Sequence, residues 1–123
     1  EHKMSKNFQI SVLFDFYGDM LTEKQRESIE LYYNADLSLG EIAENLGISR
    51  QGVRDNIKRS EAILLEFEER LGLVKKWRDM EQSLENIIDN ANNILSCALR
   101  FSLNSEIEIN ARKIIKTAKS LYE

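Results

Sequence analysis

Arg50, Gln51, Arg54, Lys58 and Arg59 fall together in the segment RQGVRDNIKR, with Asp55 as the lone acid among them. Arginine and glutamine carry forked hydrogen-bonding groups that match guanine and adenine edges, so Arg50, Gln51 and Arg54 are candidates for reading bases. Lys58 and Arg59, a turn further on, are suited to phosphates, which hold a protein in register without conveying sequence. The competing interpretation is a solvated basic helix face, or one that docks a protein.

The preceding residues are those that would position such a helix. Ser38 and Glu41 have the spacing of a capping box, which starts a helix near Leu39. Ile42, Ala43 and Leu46 share one face of it, with the small Ala43 where a crossing helix must approach. Gly47 then allows the positive φ of a tight interhelical turn, and Ser49 is placed to cap a second helix from Arg50. Ile48, Val53 and Ile57 face back inward. Two helices joined by a glycine turn, the second basic outward, have the layout of a helix-turn-helix.

Upstream, Phe8, Val12, Leu13, Phe16 and Tyr17 recur at helical spacing, predicting an amphipathic helix that ends around Gly18. Thr22 and Gln25 make a second capping box, and Ile29, Tyr32 and Tyr33 give the next helix its apolar face. Residues 34 to 37 form the connection. Helical spacing assigns the aromatics of these two helices to core packing rather than to a base-stacking platform, a reading that an exposed tyrosine would reopen. Downstream, Val53, Ile57, Ser60, Leu64, Phe67, Leu71 and Val74 alternate in steps of four and three. They predict one long recognition helix whose seam is filled either within the chain or across a homodimer. Such a dimer would meet duplex half-sites about 34–36 Å apart.

The tail carries the stripe Leu84, Ile87, Ile88, Ala91, Ile94, Leu95 and Ala98. A second stripe, Ile107, Ala111, Ile114, Ile115, Ala118, Leu121 and Tyr122, follows a Ser105–Glu108 capping box. It reads as a helical hairpin turning around Ser102 to Ser105, with Arg112, Lys113, Lys116 and Lys119 as a solvated basic face. Trp77 is expected to pack at the start of this tail. The chain thus divides into 1–76, the helix-turn-helix with its N-terminal helix and long recognition helix, and 77–123, a hairpin packed on it or on a partner.

The 123 residues include no proline and only five glycines, which favours an all-α chain interrupted by short turns. No apolar run approaches the ~20 residues that cross a bilayer, and no signal-like segment opens the sequence, so a cytoplasmic protein without membrane contact is expected. Cys97 cannot form an internal disulfide, and its surroundings, NILSCALRF, predict a buried small hydrophobe. Catalysis is not expected. His2 is the sole histidine, in an EHK that precedes Met4, and there is no glycine-rich phosphate loop or metal-ligand cluster. No catalytic residue, metal or cofactor is assigned.

The net charge of −4 opposes strong binding to a polyanion, but its distribution is uneven. Residues 1–49 carry four basic and nine acidic residues, net −5; residues 50–60 carry four and one, net +3; residues 61–123 carry nine and eleven, net −2. A modest, strongly salt-sensitive affinity for nucleic acid follows.

The stretch LTEKQRESIELYYNADLSLGEIAENLGISRQGVRDNIKRSEAILLEFEERL resembles region 4 of bacterial sigma factors. With the preceding FDFYGDML, residues 8 to 76 more closely resemble the small YlxM-like proteins, whose genes lie beside those of the bacterial signal recognition particle. The resemblance implies an all-α, sigma region 4-like fold of winged-helix-like character and a regulatory role. It does not imply sigma activity, because the chain leaves no room for domains that melt a promoter and grip polymerase. Double-stranded DNA or structured RNA is the implied partner, through Arg50, Gln51, Arg54, Lys58 and Arg59. The alternative is an interaction component that modulates the GTPase or the RNA of the signal recognition particle.

Overall fold

The computed structural model describes residues 6–101 and 104–121, and among these every regular element is helical. The order is α1 (Lys6–Tyr17), a 3-10 turn (Gly18–Met20), α2 (Glu23–Ile29) running into a π turn (Glu30–Asn34), α3 (Leu39–Leu46), α4 (Arg50–Leu71), α5 (Leu73–Arg100) and α6 (Ser105–Ser120). There is no strand, hence no wing, among the described residues. Two compact units divide the chain, residues 1–74 and 75–123.

In the first unit α4 is the central element, packed against α1, α2 and α3. Its buried row is Val53, Ile57, Ser60 and Leu64, and the core adds Ile10, Leu13, Tyr17, Ile29 and Ile42. The four-three seam is therefore filled by this chain's own short helices, which removes the basis for a homodimer through it. Nor does the seam lie on one unbroken helix. Gly72 adopts φ 61°, its amide bonding Glu68 O at 2.8 Å, and α4 stops before it. A new helix starts at Leu73, directly after Gly72, which has no side chain with which to cap it. Its first amides are taken by tertiary groups instead: Leu73 N donates to Tyr17 Oη (3.1 Å) and Val74 N to Glu68 Oε1 (3.0 Å). The same Tyr17 hydroxyl donates to Glu68 Oε1 at 2.6 Å, while its ring stacks on Phe67 at 5.7 Å. Burial, reinforced by the Glu68 carboxylate, raises the Tyr17 phenol above its ordinary pKa.

α1 buries part of the expected face, Leu13 and Tyr17 with Val12 half-buried beside the core, but adds Ile10 and leaves two expected aromatics out. Ile10, Leu13 and Tyr17 are buried, whereas Phe8 and Phe16 are exposed. Apolar residues occur all round this helix, in KNFQISVLFDFY, so spacing alone does not select a face.

In the second unit Leu84, Ile88 and Ala118 pack together, so α5 and α6 form a hairpin. Ala91, Ala98 and Ala111 are also buried. α6 begins one residue earlier than the expected capping box allows: Asn104, not Ser105, is the cap, its Oδ1 accepting from Glu106 N at 2.7 Å. Cys97 is exposed, because it falls off the Leu84–Ile88–Ala91–Leu95–Ala98 line. Trp77 is half-buried. The expected turn residues 102 and 103, together with His2, Met4 and Tyr122, lie outside the described residues.

Candidate nucleic-acid interface

The helix-turn-helix is assembled by local chemistry. Ser38 Oγ accepts from Glu41 N (3.1 Å) while Glu41 Oε1 accepts from Ser38 N (3.2 Å), closing the capping box at the start of α3. Thr22 and Gln25 do the same for α2. Gly47 ends α3 at φ 68°, and Ile48 N reaches back to Ala43 O at 3.1 Å, a left-handed cap closing the turn. Ser49 Oγ then accepts from Gly52 N at 3.0 Å, and α4 begins with no acid in its first turn. Ile42, Ala43 and Val53 are buried at the crossing of α3 and α4, which leaves the opposite side of α4 to solvent.

All five candidates, Arg50, Gln51, Arg54, Lys58 and Arg59, are exposed. Arg50, Arg54 and Lys58 form one row at i, i+4 and i+8, about 12 Å long at a rise of ~1.5 Å per residue. Arg50 lies towards α3, its Nε only 3.6 Å from where a Cβ on Gly40 would stand. Gln51 is beside the row but engaged, its Nε2 donating to Asp55 Oδ1 at 3.0 Å. Arg59 is further round the helix, about 140° from Arg54 at ~100° per residue. The structure thus gathers Arg50, Arg54 and Lys58 and sets Arg59 apart.

Among the described residues none of Arg50, Arg54, Lys58 and Arg59 forms an ion pair, whereas Lys6, Arg26, Arg70, Lys75 and Arg112 each have a carboxylate within reach. The basic stretch is also bounded. Beyond Arg59 the exposed side of α4 carries Glu66 and Glu69, so only the N-terminal half of the helix favours a polyanion.

Arg54 and Lys58 line an open groove of about 350 Å³ with Lys6, Tyr32, Tyr33 and Glu61. Tyr33 donates its hydroxyl to Glu61 Oε1, and Lys6 Nζ lies 3.4 Å from Glu61 Oε2. Burial, then the Glu61 carboxylate, pushes the Tyr33 phenol well above its ordinary range. Tyr32 meets Tyr33 edge-on at 5.0 Å and is 37% exposed. Tyr32 is thus not a core residue: the π turn at Glu30–Asn34 departs from the α-helical register on which that expectation rested. Lys6 is a groove residue with no counterpart in the sequence reading, since only tertiary folding brings α1 beside α4. No grouping of histidine, cysteine and carboxylates that could hold a metal occurs among the described residues.

Comparison with known proteins bears on this geometry. Residues 4–98 match the family described as helix-turn-helix protein, YlxM / p13 like. The chain belongs to that family. It is 46% identical over 86 residues to a UPF0122 protein of Clostridium kluyveri, covering 70% of this chain and 78% of the relative. It is 53% identical over 87 residues to one from Acetivibrio thermocellus (70% and 74% covered) and 50% over 84 to one from Halalkalibacterium halodurans (68% and 77%). The family match takes in all of the helix-turn-helix and most of α5, while α6 lies beyond it. No helix among the described residues is long and apolar enough to cross a membrane.

Proposed function

We propose that this protein is a cytoplasmic, non-enzymatic regulator that binds nucleic acid through the N-terminal half of α4. The observation that carries this reading is the row Arg50, Arg54 and Lys58, exposed and, among the described residues, without ion pairs on the second helix of a helix-turn-helix. In the docking geometry of such motifs, the first turns of the second helix enter the major groove. Arg50, Gln51 and Arg54 then reach base edges, and Lys58 and Arg59 meet phosphates on either side. Gln51 must exchange its bond to Asp55 for one to a base, and Asp55 repels the backbone, so affinity is modest and falls steeply with salt.

A second reading has its own support. Tyr32 stands exposed beside Arg54 and Lys58, an aromatic surface next to cations that suits an unpaired base and phosphates of a structured RNA. In that reading the same helix contacts the RNA of the signal recognition particle, or its GTPase, and modulates the particle.

Competition separates the two. Labelled mixed-sequence duplex is displaced by unlabelled duplex or by signal recognition particle RNA, with the wild-type chain and with Arg50→Glu/Arg54→Glu. Preferential retention of duplex, lost in the variant, supports the DNA reading. For direct readout, Arg54→Ala costs about 1–3 kcal/mol on a preferred duplex and relaxes the preference at one base pair. Preferential displacement by the RNA supports the particle reading, and undiminished binding by the charge-reversed chain removes α4 from both.

A further inference from the structure

Glu61 interrupts the basic row of α4. It stands three residues beyond Lys58 and seven beyond Arg54, which puts it on the same side of the helix, about one turn further along. Its carboxylate is held in place: the Tyr33 hydroxyl donates to Oε1, Lys6 Nζ lies 3.4 Å from Oε2, and the side chain is only 13% exposed. A phosphate backbone that followed the row past Lys58 would run onto this negative charge. What a carboxylate takes instead is a hydrogen-bond donor. Ionised, it has about four lone-pair positions, of which Tyr33 and Lys6 fill two.

The rest of the groove suits a single nucleotide. Its volume, about 350 Å³, lies at the small end of ligand sites, ~300–1,000 Å³. Tyr32, exposed and met edge-on by Tyr33, offers a ring face on which a base can stack. Lys6, Arg54 and Lys58 outnumber the one carboxylate, and among the described residues Arg54 and Lys58 have no ion pair, so the phosphates on either side of the nucleotide find cations. Lys6, its side chain 71% exposed, is free to exchange Glu61 for a phosphate as the base arrives.

From this arrangement we propose that the groove binds one unpaired guanosine of an RNA, its base stacked on Tyr32 and its base-pairing edge read by Glu61, which makes Glu61 a specificity-determining residue. The choice of base follows from donors and acceptors. The base-pairing edge of guanine offers N1–H and N2–H side by side, two donors that one carboxylate accepts together. Adenine and cytosine each present an amine beside a ring-nitrogen lone pair, and uracil one N–H between two carbonyls, so each turns an acceptor towards Glu61 and is repelled. The base must be unpaired, because pairing occupies the edge that Glu61 reads. The inference rests on the RNA reading of this groove and deepens it by naming the base.

RNA stems carrying a single bulged G, A, C or U, beside the fully paired stem, test the inference when titrated with the full chain by fluorescence anisotropy at one salt concentration. The wild type binds the bulged-G stem about tenfold more tightly than the bulged-U stem. Glu61→Gln keeps an acceptor for Tyr33 but replaces one carboxylate oxygen by an amide donor, and removes most of that ratio. Tyr32→Ala, with helicity unchanged by circular dichroism, lowers the ratio of bulged-G to paired-stem affinity on the order of tenfold, and Tyr32→Phe restores it. Should Glu61→Gln lose its helicity, the Tyr32 pair decides, since stacking on any other surface would leave that ratio unchanged. Four bulges bound alike, with the paired stem still bound, overturn the inference and leave α4 as the nucleic-acid contact. A guanine preference that persists in Glu61→Gln overturns it too. A chain that binds none of the stems refutes the RNA reading and the inference with it.

Discussion

Tyr17→Phe tests the junction between α4 and α5 with the least disturbance, because it removes one oxygen and keeps the ring stacked on Phe67. That oxygen donates to the Glu68 carboxylate at 2.6 Å and accepts the Leu73 amide at 3.1 Å, in a residue only 2% exposed. A hydrogen bond to a charged group contributes about 1.5–3 kcal/mol, and an amide left without a partner costs about 1–3 kcal/mol. The Leu73 amide bond to Tyr17 is only partly buried, so solvent recovers part of the second cost. The expected loss is therefore about 2 kcal/mol, near the lower end of the combined range. Native-state hydrogen exchange at Val53 and Leu64 reports on the first unit alone, which avoids assuming that two units melt together. A loss of about 2 kcal/mol speeds exchange there roughly thirtyfold. Glu68→Gln retains an acceptor and should cost less. An acceleration of only about twofold in Tyr17→Phe would mean that the hydroxyl does not hold the junction, and the account of how α5 is capped would fail.

Three other outcomes follow from particular positions. Gly47→Ala meets no atom within 4 Å of the new Cβ, so it should cost only the ~1–2 kcal/mol of a left-handed alanine in a urea titration; Gly47→Asn should cost less. Among the described residues Ser28 Oγ is buried without a hydrogen-bond partner, so Ser28→Ala should leave stability unchanged or raise it by about 1 kcal/mol; a clear loss in the same titration would show that the hydroxyl is satisfied. Tyr17 and Tyr33 both have phenols raised above 10.0 in the folded chain, so the stability they contribute is complete below that pH and is lost as pH rises through their native values. Stability measured on both sides of pH ~10 should fall less in Tyr17→Phe/Tyr33→Phe than in the wild type, and an equal fall would contradict the assigned cause.

The parts of the fold legible in the sequence are those written in local chemistry. Ser38 with Glu41, Thr22 with Gln25, Gly47 and Ser49 each act within a few residues, and all four do what their types and spacing predict. What escaped was set by distant partners. The end of α4 at Gly72 depends on Tyr17, more than fifty residues away in sequence, supplying the cap that Gly72 cannot. The inward face of α1 is chosen by α4, since α1 itself is apolar on several sides. Cys97, in an apolar string, reads as buried until the register of α5 places it off the contact line. The five candidate residues were legible as types, but their grouping was not: the sequence does not show Gln51 tied to Asp55, or Tyr32 brought out beside Arg54 and Lys58 by a π turn.

The central claim is that the N-terminal half of α4 binds a polyanion, and the salt dependence of duplex binding measures it most directly. Two to four engaged cations give a slope of log affinity against log salt between about −1.8 and −3.6, from ~0.9 per phosphate. Lys58→Ala/Arg59→Ala should flatten that slope by about 1.8 while leaving sequence preference in place. A slope that the double substitution leaves unchanged would remove Lys58 and Arg59 from the phosphate contacts and contradict the account.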